Sequence, residues 1–407
     1  MTDKATLERR RPLGIYIHVP FCLSKCGYCG FYSIPLREEA LAEYTEAIES
    51  QILNQSFVPR EIGDFDVNRY FVDSIFLGGG TPSLLSSESM QRILSAVDSV
   101  FCIDKDAEIT VESNPGSLSL EKLMAYKSAG INRISIGIQS LDDSELLQIG
   151  RIHDVDTALK TVEASRKAGF DNLNLDLIFS LPNQTLKRWE KNLKAAINLS
   201  PEHLSIYGLQ LEEGTDFFER FKAGEFDETS DILDREMYHK TCDMLKDSGF
   251  KHYEISNWSK PRYECRHNLK YWQFIDYLGI GPSAASFLNG FRFEVVSSLT
   301  DFMLAHKINR DVYRPDEIYT NIFSEVHQNT LKDSAGEFAF TALRTVDGIS
   351  FDKFKSEFGV DFMKFYESEK SELEDYIELG YLNIDENGIR LTRSGIDISN
   401  SIMSLFV

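Results

Sequence analysis

Long apolar runs are missing from this sequence. None approaches the roughly 18 residues of a bilayer span, so no membrane-spanning helix is expected. Positive charge is in short supply: 64 Asp and Glu stand against 43 Lys and Arg, a formal net charge of −21. A surface that acidic repels phosphate backbones at long range, which argues against non-specific nucleic-acid binding. Cysteine is sparse too, with six in 407 residues, too few for a disulfide scaffold. The opening MTDKATLERRRP is charged and has no apolar h-region, so no secretory signal is expected and the expected location is cytoplasmic, with thiols reduced. Short-period repeats and low-complexity tracts are lacking as well. What remains is ordinary globular composition, 42% hydrophobic and 26% charged, with ample material for a core. At roughly 150 residues per domain, two or three domains or a barrel with an appendage are expected.

The apolar residues alternate between two periods. Strand-like runs fall at Ile15–Val19, Ser74–Leu77, Glu108–Glu112, Ile134–Ile138, Leu173–Ile178 and Leu204–Leu211. Helical patterns lie between them, at Ser89–Val100, Ser119–Ala129, Val155–Ala168 and Leu186–Leu199, and Ser119 is placed to cap its helix. Such spacing is that of βα units, which build a parallel sheet through right-handed crossovers. Six units stop short of a closed eight-fold barrel. The expectation is an α/β fold: an incomplete (β/α)6 barrel over residues 14–212, preceded by an N-terminal tail (1–13). A connecting region (213–325) follows, in which only the helix Asp231–Gly249 is legible. From 326 to 407 helices at Glu337–Leu343, Phe351–Phe358 and Phe362–Leu379 lead into a hairpin at Asn387-Gly388, which suggests a helical, winged-helix-like domain. Its acidic surroundings make this wing structural or protein-facing.

Three of the six cysteines, Cys22, Cys26 and Cys29, fall within eight residues directly after the first strand. Thiolates so close together must share one metal centre or repel each other. A structural zinc site takes four ligands, usually as two separated pairs; here position 31 is Phe, His18 lies on the apolar strand, and a zinc reading would have to recruit a distant ligand such as Cys265. Three cysteines can instead hold three irons of a [4Fe–4S] cube and leave the fourth open to a chelating substrate. Other polar exceptions sit at strand ends, where parallel barrels place their sites. They are Gly78-Gly79-Gly80-Thr81-Pro82, Glu112, Gln139-Ser140 and Asp176. A carboxylate within a doubly buried strand costs several kcal/mol unless paired or ligand-bound, and pairing of Glu112 or Asp176 with Arg133 or Arg151 is the structural alternative. Cys102 and Cys242 read as small core residues.

The C-x3-C-x2-C spacing, with Tyr28 before the last cysteine, resembles the radical S-adenosylmethionine (SAM) superfamily. In that superfamily the open iron is chelated by SAM, and an electron from the cluster cleaves the sulfonium to methionine and a 5′-deoxyadenosyl radical. The stretches RPLGIYIHVPFCLSKCGYCGFYS, FLGGGTPSLL, TVESNPGSL, GINRISIGIQS, GRIHD and LDLIFSLPNQT narrow the likeness to the coproporphyrinogen III oxidase-like branch, comprising HemN and HemW, over nearly the whole chain. The resemblance implies that Tyr16 contacts SAM near the cluster and that Gly79, Gly80 and Thr81 hold its methionine part. Glu112, Gln139, Arg151 and Asp176 would contact its methionine and ribose portions.

Within that branch the heme-chaperone side is favoured. The oxidase carries a further cysteine two residues after the third, where this chain has Phe31, and its long N-terminal extension has no counterpart in the 13 residues before the first strand. HYEISNWS and Cys265-Arg266-His267-Asn268-Leu269-Lys270-Tyr271-Trp272 are similar to HemW stretches, the second to the H-N-x-x-Y-W signature to which heme binding is attributed. His267 or Cys265 would offer an iron ligand, and Tyr271 and Trp272 flat apolar surface beside Asn268. The implied cofactors are a [4Fe–4S] cluster, SAM and heme, and the implied partner is an apo-hemoprotein recipient such as a membrane respiratory enzyme. Three positions depart from the HemW pattern: Gly30 for Asp, Phe179-Ser180 for His/Tyr-Gly, and Ala285 for His in GIGPSAAS. The competing readings are an oxygen-independent coproporphyrinogen III oxidase, a related methyltransferase or heme-degrading enzyme, and a zinc-stabilised interaction module.

Overall fold

The computed structural model describes residues 10–63, 65–311 and 322–407. Most of the expected N-terminal tail lies outside the described residues, and Arg11, Pro12 and Leu13 already belong to the first strand. One twelve-stranded sheet organises the chain. Its strands are β1 (Arg11–Val19), β2 (Tyr70–Gly79), β3 (Ile103–Ser113), β4 (Arg133–Gln139), β5 (Leu173–Phe179) and β6 (His203–Gly208), then β7 (Lys251–Glu254), β8 (Asn257–Ser259), β9 (Tyr277–Ile280), β10 (Ala285–Leu288), β11 (Phe291–Val295) and β12 (Phe323–Gln328). The spatial order is β12-β11-β10-β9-β1-β2-β3-β4-β5-β6-β8-β7. It is an open, partial barrel of the expected α/β class.

The six expected strands are present and parallel. A seventh parallel strand was not legible: β9 pairs with β1, Gly14 opposite Tyr277 and Ile17 opposite Ile280. The connecting region thus completes the sheet, adding β9 to β12 at one edge and the antiparallel β8 and β7 at the other. These strands are three to six residues long. At that length, and without crossover helices, hydrophobic period carries no usable signal.

The parallel strands bury both faces, so their apolar residues run nearly unbroken, as in Ile134–Ile138 and Leu173–Leu177. Side-chain caps start the crossover helices: Ser86, Ser119, Asp154 and Thr185 accept the backbone N–H of Ser89, Lys122, Thr157 and Arg188. Each such cap contributes about 1 kcal/mol. Among the described residues no helix is long and apolar enough to cross a membrane.

The C-terminal domain has its own aromatic core, in which Phe338, Phe354, Phe362 and Phe406 pack together. Its first helix runs from Leu331 to Ala342, six residues earlier than expected, behind a Thr330/Asp333 capping box. The expected helix Phe362–Leu379 is split into Phe362–Phe365 and Lys370–Glu378, and at the break Tyr366 turns in among Phe362, Phe365 and Phe406. The wing is three-stranded: β13 (Ile349–Ser350), β14 (Leu382–Ile384) and β15 (Gly388–Leu391) pair antiparallel. Gly388 sits in the strand, not the turn. A Cβ there would lie 1.9 Å from the carbonyl oxygen of Ile349, so glycine is required by the close approach of β13.

Candidate cofactor site

The three cysteines ride on the loop that leaves β1, at the end of the sheet where parallel barrels work. Two of their sulfurs receive hydrogen bonds from other βα loops. Thr81 Oγ1 donates to Cys22 Sγ (3.6 Å) and Arg151 Nη1 to Cys26 Sγ (3.2 Å). Burial pushes the Cys29 thiol up. Among the described residues no three candidate ligands converge tightly enough to cage a single ion. A cube spreads its ligands over separate irons, and donors aimed at thiolates are the usual outer shell of such a centre. Cys265, the possible fourth zinc ligand, is far below: it is fully buried against Glu108, four residues before Glu112 on β3, or about 13 Å along the strand.

Behind the loop lies a cavity of about 280 Å³. Tyr16, Gly79, Glu112, Asp176, His267, Asn268 and Tyr271 all line it, so seven of the expected binding residues meet at one place. Gly79 has φ +107° and donates its N–H to Glu112 Oε2 (3.2 Å); a Cβ there would sit 2.6 Å from the His18 ring. At Gly80 a Cβ would meet the Phe21 carbonyl oxygen at 2.6 Å. Only glycines allow the loop to lie this close to the cysteine-bearing segment.

Burial and the neighbouring Asp176 carboxylate push the Glu112 carboxyl up to about 8, against the pull of the Gly79 N–H and Arg133. Burial raises Asp176 too, opposed by Asn174 Nδ2 (2.6 Å), Arg133, and the Ser205 and Ser135 hydroxyls. Two carboxyls of raised pKa facing one cavity form a site poised for a cationic or hydroxyl-rich ligand. Of the two arginines weighed as structural partners, Arg133 lies near both acids, while Arg151 is spent on Cys26, Asn114 Oδ1 (2.6 Å) and the Gly137 carbonyl (2.6 Å).

The other expected residues sit apart from the cavity. Gln139, in the left-handed region at φ +68°, has its amide beside Gly137 with Asn114 and Arg151. Thr81 joins the same group through Asn114 Nδ2, which donates to its hydroxyl (2.9 Å). The H-N-x-x-Y-W stretch forms the helix Arg266–Trp272, packed over Gly14, where a Cβ would lie 2.6 Å from Lys270. His267 is buried with both ring nitrogens engaged, Nδ1 with Ser74 Oγ (3.0 Å) and Nε2 with Tyr271 OH (2.9 Å). Trp272 points elsewhere, under Arg344 of the C-terminal domain, whose guanidinium carbon lies 4.4 Å from its ring.

Sequence reasoning missed Asn114, which ties Thr81 to Arg151. Its signal was available: it follows Glu112 by two residues, on the same face of a strand end. It also missed Phe31 as an exposed cavity wall, His18 as the Tyr16 partner (3.0 Å), and Glu212, which faces Gly30 and would lie 3.3 Å from a Cβ at that position.

Residues 16–196 match the radical SAM superfamily, and residues 329–398 match the HemN C-terminal domain. The heme chaperone HemW of Bacillus subtilis is 32% identical over 96% of this chain and 98% of its own length. That of Escherichia coli is 38% identical over 67% of this chain and 69% of its own. Among solved structures, the radical SAM enzyme coproporphyrinogen III oxidase (HemN) of Escherichia coli superposes with a TM-score of 0.81 over 99% of this chain and 92% of its own, at 22% identity, a likeness of fold. The superfamily implies a [4Fe–4S] cluster and SAM as cofactors, and the donors on the thiols and the paired carboxyls suit both. The chain belongs to the heme chaperone HemW family within the radical SAM superfamily.

Proposed function

We propose that this protein is a heme chaperone. It holds a [4Fe–4S] cluster on Cys22, Cys26 and Cys29, takes SAM into the cavity beside it, binds heme, and hands the heme to an apo-hemoprotein in the cytoplasm or at a membrane. The observation that carries the reading is the loop of three cysteines with Thr81 and Arg151 donating to two sulfurs at the mouth of a cavity walled by Glu112 and Asp176. When bound, the cluster supplies an open iron and an electron for SAM.

The chain's own residues do the rest. Glu112 and the amide of Gly79 address the amino-acid end of SAM; an ammonium beside Glu112 draws its carboxyl back to the charged form. Asp176 accepts from ribose hydroxyls, and Tyr16 closes the wall nearest the cysteine loop. Thr81 and Arg151, coupled through Asn114 and flanked by Gln139, set the cysteine loop against the cavity. Gly80 lets that loop approach. Phe31 takes the place of the oxidase's additional cysteine and walls the cavity with an apolar ring. His267, Asn268, Tyr271 and Trp272 contribute to heme binding from the helix that spans the cavity floor and the C-terminal domain.

Heme titrated into anaerobically reconstituted protein should give a saturable Soret shift, and the loaded protein should transfer heme to an apo-hemoprotein. Conversion of coproporphyrinogen III to protoporphyrinogen IX with SAM and a reductant, without heme binding, would replace the chaperone reading with the oxidase.

A further inference from the structure

A file of buried polar side chains runs from the cofactor cavity to the start of the helix Arg266–Trp272. At the cavity end, Asn174 Nδ2 on β5 donates to Asp176 Oδ1 (2.6 Å). His203, the first residue of β6, meets Asn174 Oδ1 through Nδ1 (2.6 Å) and the Tyr253 hydroxyl through Nε2 (2.7 Å). Tyr253 is the tyrosine of the HYEISNWS stretch, on β7. Its oxygen accepts the backbone N–H of Cys265 (3.3 Å), the residue that precedes the helix. Asn174, His203, Tyr253 and Cys265 are all buried.

The donors all point one way. Asn174 has its amide nitrogen on Asp176 and on Ser135 Oγ (2.7 Å), and turning the amide over would set its oxygen against the carboxylate. That oxygen therefore accepts, from Ser205 Oγ (3.1 Å) and from His203. Burial and the Arg133 charge hold His203 well below its ordinary value of 6.5, so the ring is neutral and carries one proton. The proton is on Nδ1, which faces an acceptor, and Nε2 is left to accept from Tyr253. Each link is thus fixed by its neighbour, from Cys265 through Tyr253, His203 and Asn174 to Asp176. Hydrogen bonds aligned in series polarise one another, so the charge on the last carboxylate strengthens the first link. A buried histidine does not require such a file: His153 bonds the Ile138 carbonyl through Nε2 (3.2 Å) and leaves Nδ1 without a partner.

We propose that His203 is a positioning residue joining two ligand sites, so that SAM and heme bind with linked affinities. Through Asn174 it orients Asp176 for SAM, and through Tyr253 it fixes the start of the helix that carries His267 and Tyr271. The inference rests on the heme-chaperone reading and adds a regulation to it. Its sign follows from charge. Burial opposes ionisation of both Asp176 and Glu112, and a cationic ligand in their cavity favours it. A full charge on Asp176 then strengthens every link back to Cys265. Arg133, which lies among Asp176, Tyr253, Cys265 and Glu108, spans the same path. SAM should tighten heme, and by thermodynamic reciprocity heme should tighten SAM by the same factor.

The test uses full-length, cluster-loaded protein. Ferric heme is titrated by its Soret band with and without saturating SAM, and SAM by calorimetry with and without heme. In the wild type each ligand should tighten the other by one common factor, about fivefold or more. Tyr253→Phe removes one hydroxyl and cuts the file beyond His203. SAM alone should bind it nearly as it binds the wild type, while the linkage factor falls to about one. Two replacements of His203 divide the ring. In His203→Asn the amide nitrogen falls at the Nδ1 position and keeps the donor to Asn174; in His203→Gln the amide reaches the Nε2 position and keeps only the acceptor for Tyr253. SAM affinity should stay near the wild-type level in the first and fall about fivefold in the second, with linkage lost in both. A merely structural histidine would give two variants alike in SAM affinity. If either His203 variant loses its cluster, Tyr253→Phe decides alone. Three results overturn the inference and leave the chaperone reading standing: wild-type heme affinity indifferent to SAM, unchanged linkage in Tyr253→Phe, or equal SAM affinity in the two His203 variants. Absence of heme binding by the wild type overturns both.

Discussion

Two glutamates of β3, one at its middle and one at its C-terminal end, sit in opposite circumstances. Glu108 and Glu112 lie four residues apart on one strand, both in the interior. The lower carboxylate is satisfied by a helix: Glu108 Oε1 accepts the backbone N–H of Arg266 (3.0 Å) and His267 (3.4 Å) and the Cys265 thiol (3.6 Å). It works as a cap for Arg266–Trp272, supplied from a distant strand because Cys265 makes no side-chain cap of its own. The upper carboxylate has one backbone donor, Gly79, and a second carboxyl as neighbour. An acid inside a sheet is therefore no mark of function in itself. What distinguishes a site is an acid left short of partners, facing a cavity.

The sharpest way to break this comparison is at the cysteine loop above Glu112. Reconstituted protein should hold roughly four irons per chain, and Cys22→Ala, Cys26→Ala or Cys29→Ala should each abolish this, whereas Cys265→Ala, beside Glu108, should leave it whole. One zinc per chain, lost on replacing Cys265, would reverse the assignment of the two positions. The next effect exchanges stability for binding. Glu108→Ala leaves three donors without their acceptor and should destabilise the fold by about 1–3 kcal/mol, read by denaturant titration. Glu112→Gln keeps an acceptor for Gly79 and is neutral, as the Glu112 carboxyl itself is below about pH 8. It should leave stability unchanged while weakening SAM about tenfold or more by calorimetry. Equal effects of the two variants on both measurements would erase the distinction.

Much of this was legible in the sequence, and the limits have physical causes. The six parallel strands read correctly because burial on both faces leaves nearly continuous apolar runs, interrupted by polar residues that reach the cavity, such as Glu112 and Asp176, and by internally satisfied ones such as Ser74 and Glu108. Short spacings read well for the same reason that they matter: Cys22, Cys26 and Cys29 must act together because one loop holds them. The strands β9 to β12 did not read, being too short to show a period. The H-N-x-x-Y-W stretch was recognisable, but its division of labour was not. Residues five apart on a short helix face different domains, which appears only once Trp272 is seen beneath Arg344.

The smallest effect separates the two carboxylates by proton uptake. Burial in the cavity wall and the neighbouring Asp176 raise Glu112 from its ordinary value of 4.5 to about 8. Because the folded value lies above the unfolded one, the folded state binds the extra proton between those limits. Its stabilising contribution is then complete at low pH and is lost as pH rises through about 8. If the SAM ammonium pairs with the Glu112 carboxylate, binding below pH 8 must expel that proton. Affinity should fall as pH drops below about 8, by at most tenfold per unit, and level off above it. Calorimetry in buffers of different ionisation enthalpy should register proton release near pH 7 in the wild type and in Glu108→Gln, and little in Glu112→Gln. A pH-independent affinity from 6 to 9, with no proton released, would mean that the ammonium is held elsewhere and that the upper carboxylate, like the lower one, serves only the fold.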